Sequence, residues 1–144
     1  MAQLTPSVEL GTDMLNSLRT RLNAGGAGNP AKIDIYSGTK PVRPNTAVTT
    51  QVLLATVTCS DDCGTVAVYG GAIPTLTFNA ITSDSAADNT GVATWGRARS
   101  GRGSGVAVID FDISTVGGSG FGQMNTTNIV KDGPISAPSV VITA

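Results

Sequence analysis

The stretch from Thr75 to Ile113 constrains the fold more than any other, because apolar and polar residues alternate through it in three short runs. A period of two is the signature of half-buried β-strands. The runs are Thr75–Ile81 (TLTFNAI), Gly91–Arg99 (GVATWGRAR) and Gly105–Ile113 (GVAVIDFDI). In the first, Leu76, Phe78 and Ala80 share one side and Thr75, Thr77 and Asn79 the other. In the second, Ala93, Trp95, Arg97 and Arg99 fall on one face. In the third, Val106, Val108, Asp110 and Asp112 oppose Ala107, Ile109, Phe111 and Ile113. The glycine-rich link Ser100–Gly105 suits a hairpin. These runs are expected to form a three-stranded meander at the centre of the fold.

Around this centre the chain of 144 residues reads as one domain, 1–144, long enough to bury a core without metal or disulfide. Residues 1–11 are a polar arm containing Pro6. Thr12 or Asp13 is expected to cap a helix over 12–24, which places Met14, Leu15, Leu18 and Leu22 on one stripe. Asn23–Pro30 (NAGGAGNP) ends it, with Gly25 or Gly26 as the left-handed cap. Residues 32–144 form a β-sandwich. Its further strands are Lys32–Tyr36, a long interior strand Val48–Cys59, a short one at Val66–Tyr69, Met124–Val130 and Pro138–Ala144. Seven or eight strands at such intervals predict an all-β, jelly-roll-like antiparallel sandwich with one short N-terminal helix.

Composition narrows the function. Charged residues make up 13% of the chain, half the usual ~25%, and glycine is abundant at 18 residues. Such a surface suits burial against partners. A net charge of −1 gives no reason to expect nucleic acid or an anionic membrane. No run of ~20 apolar residues is present to span a bilayer. The N-terminal sequence MAQLTPSVELGTDM lacks a basic segment followed by an apolar one. The expectation is that the protein is made and stays in a cytoplasm, or leaves by lysis or inside a larger particle.

The chain has no histidine. That removes the usual general base, the common serine triad and most catalytic zinc sites, so an enzyme is not expected. Cys59 and Cys63 read as two thiols or a local disulfide; one pair cannot complete a structural zinc site. Asp84 and Asp88, or Asp110 and Asp112, could in principle hold calcium or hydrolyse a glycosidic bond, but their spacing fits neither closely and loop aspartates usually bond the nearby backbone. Neither Gly25–Gly28 nor Gly101–Gly105 has the lysine and hydroxyl ending of a phosphate loop. No cofactor is expected. Arg97, Arg99 and Arg102 form the one local basic cluster, suited to charge pairing within the sheet or across a protein interface.

The order of segments resembles a family of small tailed-bacteriophage virion proteins. The phrases that carry the resemblance are KIDIYSGTKP, LLATVTCSD, LTFNAITSDSAAD followed by GVATW, then AVIDFD, MNTTNIV and VVITA. The chain is similar over nearly its whole length, from about Val8, to capsid cement (decoration) proteins such as that of a Bordetella phage head. The resemblance implies a jelly-roll on the outer surface of an assembled capsid, clamping neighbouring copies of the major capsid protein, as a homodimer at two-fold positions. Open strand edges and the terminal arm would suit pairing with a neighbour's sheet. The contact residues expected on the reading of this sequence are Leu4, Val8, Leu10 and Met14 of the arm and helix, Lys40 and Arg43 of the proline-containing loop, and Arg97, Arg99 and Arg102. The alternative is a tail- or fibre-associated module that binds carbohydrate, which would require exposed aromatic rings in a chain where aromatics are only 4%.

Overall fold

The computed structural model describes residues 5–69 and 73–144. One helix and ten strands follow in order: α1 (Val8–Leu22), β1 (Lys32–Ser37), β2 (Val52–Thr58), β3 (Gly64–Tyr69), β4 (Ile73–Phe78), β5 (Gly91–Val92), β6 (Trp95–Arg99), β7 (Ala107–Thr115), β8 (Gly122–Met124), β9 (Asn128–Ile129) and β10 (Ser139–Thr143). Eight strands join one mixed sheet in the order β2-β1-β6-β7-β8-β10-β4-β3, and β5 pairs with β9 in a separate ribbon. The chain is therefore β-rich with a short N-terminal helix.

Side chains from distant parts of the strand order meet in one core. Leu54 and Val57 of β2 share it with Ile33 and Ile35 of β1, Phe111 of β7, Leu76 and Phe78 of β4, and Val140 and Ile142 of β10. A flat sheet could not gather them, so the sheet curls round a single interior. A bridge between Thr58 and Thr82 ties the end of β2 to the chain that follows β4.

Helix α1 starts earlier than the sequence suggested. Ser7, not Thr12 or Asp13, is its N-cap: the Ser7 hydroxyl accepts from the Leu10 N–H at 3.2 Å. Thr12 instead donates to the Val8 carbonyl inside the helix. Leu15 and Leu22 are buried and Leu18 packs beside them, each full burial worth roughly 1.5–3 kcal/mol. Met14, one residue off that line, remains 46% exposed. Gly11 lets the helix lie close to the sheet, because a Cβ there would sit 3.1 Å from Pro74 and 3.2 Å from Ala144. At the other end, the Asn23 side chain accepts from the Cys63 N–H and donates to Asp62, fixing the helix to the start of β3.

Several strand expectations change. The three central runs do not form a meander, because β4 lies between β3 and β10 while β6 lies between β1 and β7. Alternation tells which face a residue takes and says nothing of the neighbour it pairs with. The Gly91–Arg99 run divides where Ala93 and Thr94 donate to Thr127 and Tyr36 in place of a sheet partner. Met124–Val130 divides likewise into the end of β8 and β9. The strand expected at Val48–Cys59 shortens to β2 and is the outermost strand, not an interior one.

The sheet's two halves are joined by an unusual return. Strands β7 and β8 run parallel, with Ile113 opposite Gly122 and Thr115 opposite Met124. Parallel neighbours normally need a crossover of a dozen residues or more. Here residues 116–121 fold back on themselves: Val116 donates to Met124, Gly118 to the Thr115 carbonyl and Gly120 to the Ser114 hydroxyl. The turn is compatible with glycine and little else. Gly117 has φ +87°, and a Cβ on Gly118 or Gly120 would fall 2.5 Å and 2.7 Å from Ser114 and Asp112 atoms.

Candidate functional site

The charged residues singled out in the sequence collect on one half of the sheet. Across β1, β6 and β7, Asp34 stands opposite Arg97, and Arg97 opposite Asp110. Arg97 is 6% exposed and its guanidinium grips both Asp110 oxygens, at 2.7 and 2.9 Å. The same group donates to the carbonyls of Thr46 at 3.0 Å and Arg43 at 3.4 Å, which folds the loop after β1 over this face. It also lies 5.4 Å from the centre of the Trp95 ring, which stacks on Tyr36 with centroids 4.4 Å apart. The carboxylate of Asp110 raises the Arg97 pKa further, and burial raises that of Tyr36. Arg99 meets Asp34, which also accepts from Thr56, and Lys40 meets Asp112 at 2.8 Å.

Arg97, expected as a contact residue, is thus buried and held within the chain by Asp110 and the carbonyls of Thr46 and Arg43. Its partner Asp110 is the residue directly opposite it on the neighbouring strand. Arg99 and Lys40 are paired internally but remain partly exposed. Arg43 contributes its carbonyl to Arg97 and leaves its side chain in solvent. Leu4 lies outside the described residues.

The remaining expected residues come together elsewhere. Leu10, half exposed, and Met14 line a groove between α1 and β7 with Asp13, Ser17, Leu18, Arg21 and Val108. Arg21 and Val108 also line the adjoining depression of about 480 Å³, whose other walls include Thr20, Ala24, Ser100, Arg102 and Val106. The two adjoin at Arg21 and Val108 as one trough, whose walls mix apolar side chains with Asp13, hydroxyl groups and the two arginines. Among the described residues, neither Arg21 nor Arg102 has a carboxylate within ion-pair distance. Val8, at the start of the helix, is half buried. Arg21 and Val106 were not singled out in the sequence; the signal for Arg21 was its position one turn beyond Ser17 on the Met14 side of the helix.

The other chemistry-bearing groups have structural positions. Cys59 and Cys63 are free, buried thiols whose pKa values burial pushes up to about 12 and about 11, far from thiolate chemistry at neutral pH. Asp84 accepts from the N–H groups of Thr56 and Ala86 and bridges to Ile135, so it fastens a loop along the outer edge of β2. Asp62 pairs with Arg19 and Asn23, and the Arg19 hydrogen bond lowers its pKa to about 2. Among the described residues no group of three or more potential metal ligands is found. Among the same residues no helix is long and apolar enough to cross a membrane. Comparison with protein-family models, curated proteins and solved structures finds no match.

Proposed function

We propose that this chain is a structural virion protein, a cement or decoration protein that binds the outer surface of a tailed-phage capsid and bridges neighbouring major capsid proteins. The family part of this reading rests on the resemblance of its segments, and the eight-stranded curled sheet is compatible with a jelly-roll-like arrangement. The observation that carries the reading is the α1–β7 trough. It offers exposed Leu10, Met14 and Val106 beside two unpaired arginines, the pairing of apolar anchor and cation that suits docking on an acidic-rimmed protein surface. Repetition over a shell would make a modest contact sufficient.

The carbohydrate-binding alternative draws no support from Trp95 or Tyr36, although Phe121 is 38% exposed. Trp95 and Tyr36 are stacked on each other and buried. The test is the ratio of this protein to the major capsid protein in purified particles, by quantitative mass spectrometry. A ratio near one supports a coating on the lattice; a ratio of a few per cent moves the protein to the tail and overturns the reading.

A further inference from the structure

Four of the nine lysine and arginine side chains stand in ion pairs: Arg19, Lys40, Arg97 and Arg99. Of the others, Arg21 and Arg102 line one depression, which they reach from different elements. Residues 1–4 and 70–72 contain no aspartate or glutamate. Every acidic side chain of the chain is therefore among the described residues, and none is paired with either arginine. Two like charges are set around one hollow with no counter-charge from the chain itself.

The elements that carry them are pressed together. Arg21 lies in the last turn of α1, and Arg102 in the turn that follows β6. A Cβ on Gly25, just beyond the helix, would fall 2.7 Å from the carbonyl carbon of Gly101, and one on Gly101 would collide with the Asn29 carbonyl. Main chain meets main chain here, so no side-chain rotation can move the two arginines' elements apart.

From this hollow the trough continues along one stripe of α1, where Leu10, Asp13, Met14, Ser17, Leu18 and Arg21 recur at helical spacing. Asp13 stands two turns and a little more before Arg21, a rise of about 12 Å along the axis. The trough thus has a polarity: an acid at one end, Leu10, Met14 and Val108 between, and two arginines at the other. A nucleic acid carries a phosphate at every step and would set some of them against Asp13 and the apolar wall. A peptide can carry a carboxylate, an apolar side chain and a cation in that order. In an extended chain four residues span about 13 Å, and alternate side chains share a side.

We propose that the trough takes an extended segment of a partner protein in which an aspartate or glutamate, a large apolar residue and a lysine or arginine stand at i, i+2 and i+4. The carboxylate accepts from the guanidinium groups of Arg21 and Arg102, the apolar side chain covers Met14 and Val108, and the cation faces Asp13. The inference rests on the reading of this trough as the docking surface, and adds to it the chemistry of what docks.

The test is an NMR titration of the isotope-labelled full chain with a blocked peptide of glutamate, threonine, leucine, threonine and lysine. The expected result is saturable amide shifts confined to the trough, with a dissociation constant of about 1 mM or tighter. Glutamine in place of the glutamate should weaken binding roughly tenfold, and glycine in place of the leucine should do the same. Arg21→Gln with Arg102→Gln should abolish binding and leave thermal unfolding unchanged, since both side chains are exposed. Asp13→Lys should turn the preference towards a peptide with glutamate at both ends, a gain that misfolding cannot imitate. An absence of shifts at about 5 mM peptide overturns the proposal. Equal binding of the glutamine peptide overturns it too, as does a single-stranded oligonucleotide that competes on equal terms. A chain that coats capsids but ignores every peptide overturns this inference alone. A chain that binds the peptide but is scarce in particles overturns the cement reading alone.

Discussion

The half of the sheet built from β2, β1, β6 and β7 and the half built from β8, β10, β4 and β3 cover their outward faces by opposite means. The first holds Asp34, Arg97, Arg99 and Asp110 in a row, with a loop strapped over Arg97 and a second loop along the β2 edge. The second presents threonine, alanine and valine. A buried ion pair does not by itself make a protein more stable than a well-packed apolar pair would, yet breaking one is costly. The first half is thereby fixed in one arrangement.

The largest expected effect lies in the charged half. Asp110→Ala leaves the Arg97 guanidinium buried without its carboxylate and should cost about 3–5 kcal/mol in denaturant unfolding. A loss below about 1 kcal/mol would show that the row is not what fixes this half. Next, Asp84→Ala should cost about 1–2 kcal/mol by freeing the Thr56 N–H and loosening the loop that covers β2. Substitution on the uncharged face should matter least to stability: Thr77→Lys is expected to change it by no more than about 0.5 kcal/mol. A larger loss there would mean that the face is packed within the chain.

A pH titration completes the series. The Asp62 pKa is lowered from 3.8 to about 2 by Arg19 and Asn23, so the folded state favours the ionised form. Its contribution is full above about pH 5 and declines as the pH falls from near 4 towards 2. The pair is half exposed, so solvent screens it and the step should be small. Comparing the acid unfolding of Asp62→Asn with that of the native chain isolates it: the difference should vanish below pH 2.

Much of this arrangement was legible in the residues. The alternation of Leu76 with Thr75 and Thr77, and of Phe111 and Ile113 with Asp110 and Asp112, gave the correct faces because side-chain direction is a local property of a strand. Trp95, Arg97 and Arg99 were rightly set on one face. Which strands meet is not local: Ile142 pairs with Leu76 and Gly96 with Ile35, across long separations that no period encodes. Ser7 was passed over as a cap because the apolar stripe read in the sequence begins only at Met14. Asp84 read as a loop carboxylate because its target, the Thr56 N–H, becomes an edge group only once β2 is known to lie outermost. The trough failed to show for a similar reason, since Arg102 reaches Arg21 only through the packing of the β6–β7 hairpin against the helix.

The place of β10 has a kinetic consequence. It is threaded between β8 and β4, two strands whose other partners are supplied by nearer parts of the chain. Hairpins β3–β4 and β6–β7 can form early from short-range contacts, but the interval between them waits for Ser139–Thr143. Until that strand arrives, β4 and β8 each offer a bare margin of backbone, and an intermediate in that state is prone to aggregate. Insertion of β10 should therefore set the pace of refolding, and a chain cut short before Ser139 should accumulate in aggregates while its helix and hairpins are already made.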